Sequence, residues 1–184
     1  LLCLVFFYIF KASKICISVN QFSCKSTTDS EYDYFSSIDD FLENLSKAFT
    51  KEKIAELHLF DDEYLVNKPF VLDFNEYSFE NFEVIGGSPN RSKISLKNSI
   101  NFVVPPKNIV FENIHIFFEN SLDNKTFIED QLGSEKDDSR MTFTNCTFSN
   151  LKNDDKTIFS LSFRNVEWIN VTFFQLKVKN ILNI

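Results

Sequence analysis

Few side chains in this 184-residue chain are spaced for chemistry, and the carboxylates come nearest. Glu112 and Glu119 fall on neighbouring strand-like runs and could face one groove, the arrangement of two carboxylates that glycoside hydrolysis needs. Solvated surface charge is the plainer reading of both. Asp61, Asp62 and Glu63 form an acidic run whose oxygens could hold calcium, although exposed turns carry such runs more often. His58 and His115 are the only histidines, and neither stands at a nucleophile spacing from a Ser or Cys. Cys3, Cys16, Cys24 and Cys146 show no CxxC or Cys/His spacing for zinc. Cys16 and Cys24 are close enough in sequence to pair in an oxidising compartment, leaving Cys146 as a small core residue. From the residues alone no catalytic, cofactor or metal position is assigned, and no cofactor is expected.

Five Asn-x-Ser/Thr sequons occur, at Asn44, Asn90, Asn124, Asn145 and Asn170. Asn90 and Asn124 lie in turn or loop segments and are the favoured glycan acceptors, with Asn44 third. Asn145 and Asn170 also match a structural role, set out below, that would engage their amides.

These candidates must be positioned by an acidic, apolar chain. The net charge is −7, which argues against nucleic acid and anionic membrane as partners. Hydrophobic residues make up 43%, too many for a disordered chain. With 3 Gly and 4 Pro there is little material for flexible linkers or a Gly-rich phosphate loop. Leu1–Phe10 is apolar throughout. It is too short to span a bilayer, which takes about 20 residues, and has the length of a signal-peptide core. The expected organisation is a leader over 1–18, a cap over 19–53 and strands over 54–184. The last residues, VKNILNI, stop in mid-pattern, so the chain reads as an incomplete fragment.

Ile38, Phe41, Leu42, Leu45 and Phe49 lie on one face of a 3.6-residue period, predicting an amphipathic helix over 37–50. Ser37 followed by Asp40 resembles a capping box. From Ile54 the period falls to two, as in strands. The polar stretches 121–139 and 153–156 read as loops.

The strands carry a repeated phase slip. Ile109, Phe111 and Asn113 alternate, yet the next apolar residues are Ile114, Ile116 and Phe118. The same slip follows Asn81, Asn145, Asn165 and Asn170. In a straight strand it would turn half of the apolar set outward. The chain must therefore bend at each Asn, which tolerates a left-handed backbone better than other non-glycine residues. The unit is aromatic-x-Asn-apolar-x-apolar: two short strands joined at a corner. Units at Phe79, Phe111 and Phe143 are spaced by 32, and Phe163 follows after 20. A fixed unit with variable connections is the mark of a solenoid, here an all-β parallel β-helix whose stacked corner Asn could form an amide ladder. An antiparallel sandwich shares the alternation but needs Gly-rich hairpins.

The segment EYLVNKPFVLDFNEYSFENFEVIGGSPNRSK resembles the opening coils of pectate-lyase-like β-helices. KISLKNSINFVVPPKNIVFENIHIFFEN and MTFTNCTFSN resemble secreted or surface β-helix proteins of parasitic protists, the trichomonad type described as polymorphic-outer-membrane-protein-like. The resemblance implies a right-handed helix, an N-terminal capping helix and an extracellular or cell-surface home. Pectinase-type motifs built on Asn-Thr-Asp, Gly-His-Gly or Arg-Ile-Lys are absent. The expected function is therefore non-enzymatic adhesion or ligand binding, to carbohydrate or a host or cell-surface protein, through outer strand faces and loops. Membrane contact is expected only through a C-terminal anchor outside this sequence. The alternative is a carbohydrate-active enzyme whose site lies in further C-terminal coils.

Overall fold

The computed structural model describes residues 13–19, 33–45, 54–73, 80–87, 91–104, 106–119, 126–130, 139–150, 152–161, 163, 165–175 and 177–183. In chain order these form β1 (Ser13–Ile17), β2 (Asp33–Phe35), α1 (Ile38–Glu43), β3 (Ile54–Leu59), β4 (Glu63–Val66), β5 (Phe70–Asp73), β6 (Asn81–Gly86), β7 (Ser92–Leu96) and β8 (Ile100–Val104). Then come β9 (Asn108–Glu112), β10 (Ile114–Phe118), β11 (Thr126–Asp130), β12 (Arg140–Thr144), β13 (Thr147–Ser149), β14 (Lys152–Ser160), β15 (Asn165–Ile169), β16 (Thr172–Phe174) and β17 (Lys177–Asn183). The result is an all-β structure of parallel sheets with almost no helix.

From β3 onward, every third strand joins the same sheet. The first sheet runs β15-β12-β9-β6-β3-β1-β2, the second β16-β13-β10-β7-β4 and the third β17-β14-β11-β8-β5. The pairings among the described strands are parallel. Each round of three strands therefore lays one strand on each sheet.

Strict register turns alternation into columns. In the first sheet Leu57, Val84, Phe111, Phe143 and Trp168 stand over one another. In the second sheet Tyr64, Ile94, Ile116, Phe148 and Phe173 do the same. In the third, Phe70, Ile100, Ile128 and Phe159 align. All except Trp168 and Phe173 are buried. Phe rings stack because equal side chains meet at the strand spacing of about 4.8 Å. Phe111 and Phe143 have centroids 5.3 Å apart with planes at 12°, and Phe143 and Trp168 4.8 Å apart, also at 12°. Across the core Phe143 meets Phe148 edge-on at 5.4 Å. A fully buried Phe is worth up to about 3 kcal/mol, so these columns carry the fold.

The phase slip is a corner between the first and second sheets. Asn113, Asn145 and Asn170 have φ of 56°, 52° and 54°, the left-handed region. Their amides stack: Asn145 Nδ2 donates to Asn113 Oδ1 at 3.2 Å, and Asn170 Nδ2 to Asn145 Oδ1 at 2.7 Å. Backbone bonding continues through the corner, with Asn113 N donating to Thr144 O at 3.0 Å and Asn145 N to Ile169 O at 2.8 Å. Gly86 precedes Asn113 in this position. A Cβ on Gly86 would overlap the Asn113 carbonyl oxygen, so only glycine allows this approach.

Several expectations need correction. Asn81 and Asn165 are not left-handed corners; they are the first residues of β6 and β15. Their slip marks the junction from third sheet to first, and Asn81 instead accepts at Oδ1 from Asn108 Nδ2 at 2.7 Å. A second left-handed corner, at Asn150 (φ 62°) and Gln175 (φ 54°), leads from second sheet to third. Asn150 Nδ2 there donates to Phe118 O at 2.6 Å. Equivalent corner and strand-entry residues are accordingly separated by 27, 32 and 25 positions; the 20 residues from Phe143 to Phe163 do not measure a repeat, because Trp168 is the residue in register with Phe143.

The stretch 121–139 contains β11, because Ile128 completes the third-sheet column. The stretch 153–156 lies within β14, whose register shifts between Asn153 and Thr157. Within the described residues helix α1 ends at Glu43; residues 46–50 lie outside them. Its N-cap Ser37 accepts from Asp40 N at 3.0 Å as the capping pattern requires. Asn44 closes the other end by donating its amide to Asp40 O at 2.9 Å. Ile38 and Phe41 are buried, and Phe35 meets Phe41 edge-on at 5.7 Å, so β2 and α1 pack over the β1 end of the core. Strand β1, with Ile15, Cys16 and Ile17 buried, falls inside the stretch read as a leader, whose residues 1–12 lie outside those described.

Candidate functional site

With inward positions used for packing, the side chains open to an outside contact are the outward ones. On the first sheet, register brings Asn81, Asn108, Arg140 and Asn165 into one outward column. Two residues along, Glu56, Glu83, Val110, Thr142 and Glu167 form the next. Backbone bonds fix the entries: Asn108 N donates to Glu80 O at 2.8 Å and Arg140 N to Lys107 O at 2.9 Å. The smaller Val110 and Thr142 sit among longer Asn, Glu and Arg side chains. This leaves a shallow concavity of about 290 Å³ bounded by Asn81, Glu83, Asn108, Ile109, Val110, Arg140 and Thr142.

The groove holds amide, carboxylate, guanidinium and hydroxyl groups in one place. Arg140 Nε lies 3.6 Å from Glu167 Oε1. Burial raises the Glu83 carboxyl above its ordinary pKa, and the Glu56 and Glu112 carboxylates raise it further against the opposing pull of His58. His58 is engaged with Glu56 Oε2 at 2.9 Å. Such a surface can exchange hydrogen bonds with a polyhydroxylated or polar peptide ligand.

The outer face of the second sheet carries another constellation. Glu63, Lys93, His115, Thr147 and Thr172 share a column. Lys93 Nζ donates to Glu63 Oε1 at 2.6 Å and lies 4.8 Å from the centre of the Phe117 ring. That pairing holds the Glu63 carboxyl below its usual pKa. Arg91 donates to Thr147 Oγ1. His115 Nε2 lies 2.7 Å from Ser149 Oγ. This is the distance of a nucleophile and its base, but Ser149 is only 3% exposed and has no room for a substrate. Burial lowers the His115 pKa, and Lys93 and Arg91 lower it further against Glu63.

The sequence-derived candidates separate. Glu112 ends β9 on the first sheet and Glu119 follows β10 on the second. The five-residue β10 between them spans roughly 16 Å at the rise of a strand. They do not share the short gap of a glycosidase pair. Asp61 accepts from Ser18 Oγ at 2.9 Å and Val19 N at 2.7 Å, tying down the end of β1. With Glu63 held by Lys93, the acidic run does not converge on a cation. Among the described residues no group of three His, Cys, Asp or Glu is placed to hold a metal. Cys146 is buried and free; burial pushes its thiol up to about 11, so it is a core residue. Cys16 is disulfide-bonded, to a residue outside those described. Of the glycan candidates, Asn44 is half-buried with its amide on Asp40, while Asn90 and Asn124 lie outside the described residues.

Sequence reasoning missed the groove and the His115–Ser149 pair, because their members come from different rounds, 34 residues apart for the pair. No family model matches the chain, and no curated protein or solved structure matches it. Among the described residues no helix is long and apolar enough to cross a membrane.

Proposed function

We propose that this chain is a secreted or cell-surface protein, a right-handed parallel β-helix that binds ligands non-enzymatically through the outer face of its first sheet. The winding reading is supported by three parallel sheets that each gain one strand per round. Right-handedness is supported by the general rule that parallel crossovers are right-handed in about 98% of cases. An extracellular setting is supported by the disulfide at Cys16, since such bonds persist in oxidising compartments. The resemblance to protist surface β-helices points the same way.

The observation that carries the binding reading is the groove lined by Asn81, Glu83, Asn108, Arg140 and Thr142. It gathers polar groups from three successive rounds along the direction in which an extended ligand would lie. The ligand class is a carbohydrate, with a polar protein segment as the other occupant such a face admits. The test is binding of the labelled chain to immobilised neutral and acidic polysaccharides and to extracellular-matrix proteins. Thr142→Arg, which fills the groove from its floor, is the comparison. At least tenfold weaker binding at unchanged unfolding midpoint is expected. Equal binding by both proteins would refute the site, and release of new reducing ends would replace binding by catalysis.

A further inference from the structure

The chain carries a net charge of −7, yet Arg91, Lys93 and His115 meet on the outer face of its second sheet. Register fixes them there. Lys93 on β7, His115 on β10 and Thr147 on β13 are successive steps of one outward column, about 4.8 Å apart. Arg91, just before β7, reaches across that column to donate to Thr147 Oγ1. Its guanidinium and the Lys93 ammonium therefore flank the His115 ring. Burial first, then Lys93 and Arg91, hold the His115 pKa below its ordinary value, so the ring is neutral near pH 7. Glu63 on β4, beyond Lys93, is the carboxylate that opposes them. These groups keep donors to spare. Among the described residues Arg91 has no carboxylate partner and bonds only Thr147. Lys93 gives one ammonium hydrogen to Glu63 and sets its charge beside the Phe117 ring. His115 Nε2 faces Ser149 Oγ at 2.7 Å, and its Nδ1 has no partner among the described residues. The buried Ser149 hydroxyl can donate or accept, so it holds the ring in either protonation state.

An anion seated between Arg91 and Lys93 would turn their mutual repulsion into attraction, and the charge balance selects which anion. With His115 neutral, Arg91 and Lys93 supply two positive charges and Glu63 one negative, which leaves one to be matched. A sulfate ester is a monoanion whose free oxygens can accept from guanidinium, ammonium and imidazole together. A carboxylate has the same charge but fewer oxygens than the site has donor groups. A phosphate monoester carries about −1.5 to −2 at pH 7 and exceeds the charge of the site. A densely charged polyanion would be repelled by the acidic remainder of the chain. What fits is a lone sulfate ester on an otherwise neutral sugar.

We propose that Lys93, His115 and Arg91, the last held in place by Thr147, form a second binding site that takes a sulfate ester carried on a sugar. The site lies on a different sheet from the groove of Asn81 and Arg140 and does not depend on it. Binding and proton uptake are coupled. The anion favours the imidazolium form and so raises the His115 pKa, and by reciprocity a lower pH tightens binding. The charged groups facing His115 are Lys93 of β7, Arg91 before it and Glu63 of β4, while β13 brings only the Thr147 and Ser149 hydroxyls. The experiment titrates the full chain with a hexose carrying one sulfate, one phosphate, one carboxylate or no added group. Binding is followed by the imidazole C–H resonances of His58 and His115, told apart with His115→Gln. The sulfated hexose should bind and move the His115 resonance while His58, on the first sheet, stays in place. Its affinity should rise about threefold from about pH 7.5 to about pH 5.5, and Arg91→Gln should weaken it about tenfold. No binding of the sulfated hexose overturns the proposal. So does equal or tighter binding of any of the other three, a His115 resonance that does not move, or an affinity indifferent to pH or to Arg91→Gln. If that variant fails to fold, the wild-type ligand series and pH profile decide alone.

Discussion

The corner at Asn145 separates two reasons for an asparagine: backbone conformation and side-chain bonding. Its φ of 52° costs an ordinary L-residue about 1 kcal/mol or more, while Asn and Gly bear it more easily. Its amide donates to Asn113 Oδ1 and accepts from Asn170 Nδ2, two bonds each worth about 1 kcal/mol net. Asn145→Ala loses both contributions and should destabilise by about 3 kcal/mol. Asn145→Gly keeps the conformation, loses the bonds, and should cost about 2 kcal/mol. Asn145→Asp keeps an acceptor for Asn170 but turns an anion toward the Asn113 oxygen, and should fall near the glycine variant.

Urea unfolding followed by Trp168, which stacks on the next ring along, measures these costs. With a slope of about 2 kcal/mol per molar, the alanine variant should lose roughly 1.5 M in midpoint. The order of the variants matters more than their size. A glycine variant within about 0.5 kcal/mol of wild type would mean that the ladder contributes nothing. A glycine variant worse than alanine would mean that left-handed backbone is not what the position selects, and the reading of the phase slip would fail with it.

Other positions give independent checks. Gly86→Ala should cost about 3 kcal/mol or prevent folding, since its Cβ would meet Asn113 backbone that cannot retreat; an unchanged midpoint would contradict the close approach. Phe143→Ala should cost about 4 kcal/mol, and Phe143→Leu under half of that, because four rings contact Phe143 within 5.4 Å. His115, which faces Lys93, Arg91 and Glu63, has a folded-state pKa below its ordinary 6.5. The native state then binds fewer protons than the unfolded one, so stability should decline as pH falls below about 6.5, and His115→Gln should flatten that decline in thermal melts. Glu83, near Glu56, Glu112 and His58, has the opposite sign: its folded pKa is raised, so Glu83→Gln should stabilise at neutral pH, with the gain vanishing as pH falls through 4.5.

How far the fold could be read in advance follows from what the inward positions require. A corner that keeps apolar residues inward on both sides leaves a one-residue slip in sequence, and Asn113, Asn145 and Asn170 show it. The corner at Asn150 leaves none, because the chain beyond it, through Leu151 and Lys152, is not cleanly alternating. Its left-handed residue is visible only in three dimensions. Asn81 and Asn165 produce a slip without a left-handed turn, since any change of sheet can shift the phase. The signal reports a corner, and not which one. Strand β11 escaped because TFIED carries few apolar residues amid acidic sequence, and what fixes it is Ile128 completing a column begun at Phe70. Local polarity was outweighed by a vacancy in the stack.

The outward residues obey a different rule, which explains why the site was less legible than the core. An inward side chain is constrained by its own strand, through alternation, before any neighbour is considered. An outward side chain becomes part of a site only through partners one round away, 27 residues for Asn81 and Asn108 and 34 for His115 and Ser149. Those separations vary because the connections vary, so no fixed motif spacing can encode them. The groove on the first sheet exists because Val110 and Thr142 are shorter than Asn81, Glu83, Asn108 and Arg140 around them. That is a relation between rounds. Single substitutions on this face can therefore reshape the groove without touching a core column, so its shape can change while the stack stays the same.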